Sequence, residues 1–421
     1  MPTSFRFRPF LFLIFAGVPF GSLPLSVAHA APLTLSEALA RVEAGHPWMR
    51  TRDAQARLAE ARNAQAAVRP TPEASIQFEN ALGTGELRAF RSLETTLQLS
   101  RAIDWADRRS ARAAAAAGQN EAERLEWDEK RRELLAEAAR RFIRIAAATA
   151  DVAASREVAK LATDTENDIR RRAEQTAATP ADVARTQLTR VQADLEAEHA
   201  EHQLSAAKQA LALLWGADTA DFEGVQADLA TLPKMAEFGV LAQRLAATPG
   251  QARYAALGRW RLAQEKLARA NAARGEARVG GGLRRVERTD DWGFVLGLNY
   301  TWPSRAHGDA LAAEARAERE RTSGEGAAAL LEAKALLFEL VQEIKHAQIE
   351  HDTAQKELIP AAEAWLKAVR DGANTGRYAV RDLLEAQQAL LGARQQLIRA
   401  DAAYHKTLVE IERLIGASAA P

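Results

Sequence analysis

The chain has no cysteine. That excludes a disulfide framework, a thiolate zinc site, a cysteine nucleophile and a lipid carried on an N-terminal cysteine. Aromatic residues make up only 6% of it, which with abundant alanine favours long helices over a β-sandwich. Neither sign of charge is in excess: 56 Lys+Arg face 56 Asp+Glu over 421 residues. No global basic field therefore points to nucleic acid. Beyond residue 30 there is no run of about 18 apolar residues, so no transmembrane helix is expected. If the mature chain spans a membrane, it must do so as a closed β-barrel.

The first thirty residues read as a secretory signal. Arg6 and Arg8 form a basic start, Phe10 to Phe20 are apolar, and Ala28-His29-Ala30 is a small-x-small cleavage site. An N-terminal anchor is the alternative, but Gly17, Pro19 and Gly21 interrupt a short apolar run. Removing residues 1–30 takes away two basic residues and no acids, leaving 54 against 56, or −2.

What is present is an internal repeat. Asp182-Val183 with Gln187 matches Asp382-Leu383 with Gln387 at an offset of 200, which also carries Leu214-Trp215-Gly216-Ala217 onto Leu414-Ile415-Gly416-Ala417. Leu97 to Ser100 matches Leu296 to Asn299 at 199, and His46-Pro47 matches Thr248-Pro249 at 202. The expected organisation is a signal at 1–30, copies at 31–216 and 233–416, a linker at 217–232 and a tail at 417–421.

Each copy has one plan. A helix comes first (Ser36 to Val68; Met235 to Arg278), then two strand-like runs. A very long helical tract follows (Asp104 to about Thr176; Ser304 to about Asp371), and a last helix closes the copy (Pro180 to Trp215; Val380 to Ile415). At about 1.5 Å per residue the first tract is roughly 110 Å long, so it needs a coiled-coil-like partner along its length. Positions 383, 386, 390, 393, 397, 400, 404, 407, 411 and 414 step by three and four as Leu, Ala, Leu, Ala, Leu, Ala, Tyr, Thr, Ile and Leu. That is a heptad seam. The equivalent first-copy helix is less strict, with Arg190 on its seam. By itself the seam also fits an ordinary long antiparallel coiled coil.

The strands separate these readings. Leu93 to Ser100, Phe294 to Trp302 and Ala74 to Phe78 alternate with period two, as barrel strands with one face to lipid and one to water do. A fourth run, Arg278 to Val286, is weakened by Gly280-Gly281-Gly282. Trp105, Tyr300 and Trp302 stand where strand passes into long helix, as a membrane-interface girdle would. A small soluble sheet capping a helical domain is the alternative. Four strands cannot enclose a lumen, so a barrel implies oligomerisation.

These residues resemble the TolC family of outer-membrane efflux proteins, and within it the CzcC-like, heavy-metal branch. The resemblance rests on Leu33-Thr-Leu-Ser-Glu-Ala-Leu39 with His46-Pro47, on Arg69-Pro-Thr-Pro-Glu73, Phe78-Glu-Asn80, Gly83-Thr-Gly85-Glu86 and Glu94 to Ser100. In the second copy it rests on Leu358-Ile-Pro-Ala-Ala-Glu363, Gly376 and Asp382 to Gln387. It covers nearly the whole mature chain. It departs at Ala106-Asp107-Arg108-Arg109, where the family often has Gly-Gly-Lys-Arg, and in lacking the lipidated cysteine of many metal-efflux relatives.

The resemblance implies a mainly α fold with a small β part: long coiled-coil α-barrel helices plus four transmembrane β-strands per chain. It implies a homotrimer in outer-membrane lipid, forming one β-barrel and a periplasmic tunnel. Asp382 and Glu385 match the acidic rings of the periplasmic aperture, with Arg377 and Arg381 beside them as latches. Ordinary helix-start acids are the plainer reading of the two carboxylates. The turns carrying Thr179, Pro180 and Asp182, and Thr375, Gly376 and Arg377, would be tips that dock on a periplasmic adaptor. An inner-membrane transporter of the proton-driven RND type would supply energy and divalent heavy-metal cations. A drug-efflux or polypeptide-secretion outlet and a periplasmic adaptor protein are the rival functions. No enzyme activity, cofactor or nucleic acid is implied. Gly280 to Gly282 lack the context of a phosphate loop. His199 and His202, three apart on a helix, are weak metal-ligand candidates; a solvated or tunnel-facing polar patch is the plainer reading.

Overall fold

The computed structural model describes residues 32–175, 177–373 and 378–416. The signal segment and tail expected at 1–30 and 417–421 lie outside the described residues. In chain order the main elements are α1 (Leu35–Gly45), α2 (Thr51–Ala67), β1 (Glu73–Glu79), β2 (Glu94–Ala102), α3 (Ala106–Glu174) and α4 (Pro180–Ala212). Then come α5 (Phe238–Leu245), α6 (Pro249–Ala273), β3 (Glu276–Val286), β4 (Asp291–Thr301), α7 (Arg305–Thr353), α8 (Ile359–Ala373) and α9 (Val380–Ile415).

Two expected single helices are each broken in two. The first stops at Gly45, because Pro47 forces the residue before it out of the helical region; His46 has φ −62° and ψ 126°. The helix restarts at Thr51. In the second half Thr248 stands extended before Pro249 and caps α6 by accepting a hydrogen bond from the Gln251 amide, with proline at the first helical position. Arg274 then leaves the helix at φ −136°, so Glu276 to Arg278, expected as helix, belong to β3.

The long tract α3 has 69 residues, about 104 Å at roughly 1.5 Å each. Its counterpart is interrupted by a π-helical segment, Ala354–Leu358. Pro360 explains this. It offers no N–H and crowds the preceding turn, and a wider turn absorbs both. The Ile359 amide accordingly donates to Ala354 O, five residues back.

Ion pairs fix the order of the helices. Arg156 meets Glu201 and Arg190 meets Glu166, joining α4 to α3. Arg140 meets Glu410 and Arg394 meets Glu157, joining α3 to α9. His351 meets Asp401, joining α9 to α7. The layer therefore runs α4–α3–α9–α7/α8. At the sheet end α2 and α6 replace α4 and α9 beside α3, through Arg62 with Glu123 and Arg253 with Glu129. Eight seam positions of α9 (Leu383, Ala386, Leu390, Ala393, Ala400, Tyr404, Thr407 and Ile411) are buried; Leu397 and Leu414 are half-buried. Arg190, the seam's odd member on α4, is held by Glu166 and Asp194.

A belt packs on one face of this layer. Leu33, Ala38 and Val42 join Phe222 over Ala138, Phe142 and Ile145 of α3. Leu241 and Leu245 of α5 cover Leu337, Val341 and Ile344 of α7 with Tyr404 of α9. The linker is tied in by a parallel bridge of Leu33 with Val225.

Candidate membrane-facing sheet and helical tip

All four strands form one antiparallel sheet in the order β1-β2-β3-β4. Register sorts their side chains into two faces. Ile76 pairs with Leu97, Leu97 with Leu283, and Leu283 with Phe294. That face is apolar and uncovered: Phe294 and Leu296 are each 90% exposed and Leu298 74%. The other face carries Glu73, Gln77, Glu79, Glu94, Thr96, Gln98, Arg278, Arg284 and Asn299, by the same register. A bare apolar face against a polar one inverts the usual arrangement for a sheet in water.

Arg284 organises the polar face. It reaches Glu94 at 2.9 Å, Glu79 at 3.0 Å and the Thr96 hydroxyl at 3.0 Å. Arg278 pairs with Glu73 and, at 3.5 Å, with Glu276. Sequence reasoning missed this ladder, although its two arginines stand six residues apart on one face of β3. The strand itself is continuous through the three glycines. A Cβ at Gly280 would stand 2.8 Å from the Ser100 Cβ and 2.9 Å from the Gln98 amide. Glycine is what lets the Gln98 side chain lie across the sheet.

Aromatic residues stand at both ends. At the helix end the Trp105 indole donates to Gly275 O at 3.1 Å, and the Gly275 amide donates to the Tyr300 hydroxyl at 3.0 Å. Tyr300 meets Trp302 edge-on at 4.8 Å, and Trp302 is 81% exposed. Trp105 is half-buried. The far end has exposed Trp292 and Phe90, which the sequence reading did not single out. Trp292 to Trp302 is ten steps of about 3.4 Å; tilted by about 40°, that is roughly 26 Å of height, close to the apolar band of an outer-membrane barrel. Beneath lies Arg108, where the resemblance breaks. It donates to the carbonyls of Ala270 and Asn271, acceptors that the end of α6 leaves open, and to those of Arg274 and Gly275 just beyond it.

At the opposite end Thr179 caps α4, with Pro180 in the first turn. Its hydroxyl accepts from the Asp182 amide at 3.2 Å, and the Asp182 carboxylate accepts from the Thr179 amide at 3.1 Å. Hydrogen bonds from the Thr179 hydroxyl and amide hold the Asp182 carboxyl below its ordinary value. Asp382 accepts from the Ala379 amide at 3.2 Å in the matching place on α9. Arg381 lies 3.8 Å from Asp382 and 3.4 Å from Glu385. The two carboxylates thus share a cation within their own chain. Thr375, Gly376 and Arg377 lie outside the described residues.

His199 bonds to Gln203 at 2.6 Å, and exposed His202 lies 3.7 Å from Glu198. Among the described residues no group of three or more His, Asp or Glu could hold a metal ion. Among them, too, no helix is long and apolar enough to cross a membrane, a statement that leaves strands aside.

No family model matches the chain, and no curated protein matches it. Solved structures do. VceC, an outer membrane protein of Vibrio cholerae, superposes with a TM-score of 0.77 at 15% identity, over 91% of this chain and 96% of its own. CusC, which forms a transmembrane channel, gives 0.76 at 13%, over 93% and 94%. The Campylobacter jejuni outer membrane channel CmeC gives 0.73 at 13%, over 97% and 94%. At such identities the likeness is one of fold, and the chain has the fold of these outer-membrane channel proteins, the mainly helical architecture with a small antiparallel sheet that the TolC-family resemblance implies.

Proposed function

We propose that the chain is the outer-membrane exit duct of a tripartite efflux pump. The observation that carries this reading is the sheet: one bare apolar face, one polar face, and two free edges, β1 and β4. Three chains joined β4 to β1 would close twelve strands into a barrel wide enough for a lumen. The apolar face then meets lipid, the polar face lines the exit, and the helical layers close into a periplasmic tunnel. The two halves of the chain, 31–216 and 233–416, act as duplicated units joined by 217–232. Such a duct does no chemistry and needs no cofactor.

The tips at Thr179, Pro180 and Asp182 and at Thr375, Gly376 and Arg377 would dock on a periplasmic adaptor, with an RND transporter in the inner membrane. Asp382 and Glu385 would line the aperture, with Arg377 and Arg381 as latches. Arg381 contacts both acids within its own helix, so a latch between chains would exchange these partners. Trp105, Tyr300 and Trp302 form the periplasmic girdle. The exported species on this reading are divalent heavy-metal cations. The support is the first hairpin, Arg69 to Ser100, with its resemblance to the CzcC-like branch. Planar-bilayer recording of the detergent-extracted chain tests the duct. Ion-conducting channels are expected, and a protein giving none would overturn the reading. Deletion of the gene tests the cargo, with cobalt, zinc or cadmium sensitivity expected and unchanged metal tolerance counting against it.

A further inference from the structure

On the face of the helical layer turned away from the belt lies a groove of about 690 Å³. It crosses the whole layer, with Arg144 and Asp151 on α3, His199 on α4, Arg399 and Lys406 on α9 and Glu343 on α7. At about 100° per residue, Arg144, Ala148 and Asp151 follow a stripe roughly 120° round α3 from the belt-facing Ala138, Phe142 and Ile145.

The basic groups in this groove are unlike the arginines beside it. One turn closer to the sheet, Arg140 holds Glu137 and Glu410, and Arg413 holds Glu410. Among the described residues, Arg144, Arg399 and Lys406 have no carboxylate within 4.0 Å and no hydrogen-bond partner. The Arg140–Glu410 pair sets the antiparallel register of α3 on α9. Four residues further on, it brings Arg144 level with Lys406. Lys406 is half-buried. Burial and the neighbouring Arg144 charge both push its ammonium below the ordinary lysine range. The groove's acids do not answer this pair. Asp151 stands two turns along α3, and among the described residues neither it nor Glu196 or Glu343 forms an ion pair. Two like charges side by side at a wide polar opening lack a counter-charge that a bound anion would supply.

We propose that this groove is an anion-binding station, in which Arg144 and Lys406, with Arg399 two turns along α9, hold a small multivalent oxyanion of the di- or tricarboxylate class. Its volume falls within the range of small-molecule sites. The buried Thr407 beside Lys406 also lines the groove. The proposal depends on the duct reading only for its setting, where this face is the tunnel wall.

The test is calorimetric titration of the detergent-extracted chain with citrate at low ionic strength, and with inorganic phosphate as a second probe. Saturable citrate binding is expected, weakened about tenfold or more in Lys406→Gln and in Arg144→Gln, and retained in Lys406→Arg. Asp151→Asn should tighten it by removing an opposing charge. Arg399→Gln serves as a further variant should either fail to fold, as judged by helical content and mass. No binding of either probe, or binding unchanged in the glutamine variants, would overturn the proposal. Binding by a chain that forms no channels would leave the groove standing and remove the exit-duct reading; channels without binding would do the reverse.

Discussion

Leu296 gives the sharpest separation of a membrane sheet from a soluble one. It sits at the middle of β4, 90% exposed, level with Gly281 on β3. On a soluble sheet, Leu296→Arg at so bare a position would alter stability by no more than about 0.5 kcal/mol, and would improve solubility. Facing lipid near the bilayer midplane, the same change costs about 2–4 kcal/mol for each chain. A trimer carries it three times, so about 6–12 kcal/mol of assembly free energy is at stake. Ser75→Arg is the matched control. It adds the same charge on β1, beside Gln98, on the face that would meet water, and should shift stability by less than about 1 kcal/mol. Urea titration of the protein folded into lipid vesicles reads both variants, and the yield of assembled outer-membrane trimer reads them in cells. If Leu296→Arg is as mild as Ser75→Arg, the apolar face does not meet lipid and the reasoning fails.

Other consequences follow from the same geometry. Arg108→Ala strips the carbonyls of Ala270, Asn271 and Arg274 of their side-chain donor and leaves Gly275 O to the Trp105 indole alone, and should cost about 1–3 kcal/mol; Arg108→Lys should restore only part, measured by thermal unfolding in detergent. The Asp182 carboxyl is depressed in the fold below its ordinary 3.8. Its contribution is therefore full above that value and is lost as pH falls through the lower folded value. After correction for the fall of intrinsic exchange with pH, the protection of the first-turn amides of α4 should drop on acidification in the parent and show no such drop in Asp182→Asn. Asp382→Ala with Glu385→Ala frees Arg381 and should raise open-channel current or leakage in bilayers; unchanged currents would remove the aperture assignment.

The elements readable in advance were those whose period is long and whose side chains speak plainly. The heptad of α9 and the alternation of β2 and β4 are of this kind, since each repeats one physical choice many times. What escaped depends on single residues or distant partners. Pro47, Pro249 and Pro360 each stand inside an apolar pattern that continues past them, so the pattern hid two helix breaks and a π turn. Gly280 looks like a strand breaker until the Gln98 side chain is seen lying over it. Arg284 draws Glu79 and Glu94 from another part of the chain, and Arg108 serves a helix end more than 160 positions away. The reciprocal cap of Thr179 and Asp182 went unread although their three-residue spacing carries it, whereas the sharing of Arg381 by Asp382 and Glu385 required the rotamers.

The central claim is that β1 of one chain pairs with β4 of the next. Because the chain has no cysteine of its own, introduced pairs report without background. Within one chain β1 and β4 are separated by two strands, about 14 Å at roughly 4.8 Å per spacing, beyond the reach of a disulfide. Any bond between a cysteine at Ile76 or a neighbouring β1 position and one at Leu296 or a neighbouring β4 position must therefore join two chains. The account predicts disulfide-linked trimers, closed into a ring, from at least one such pair in outer-membrane fractions. A chain that stays water-soluble and monomeric, with no β1–β4 bond at any position along the two strands, would contradict it.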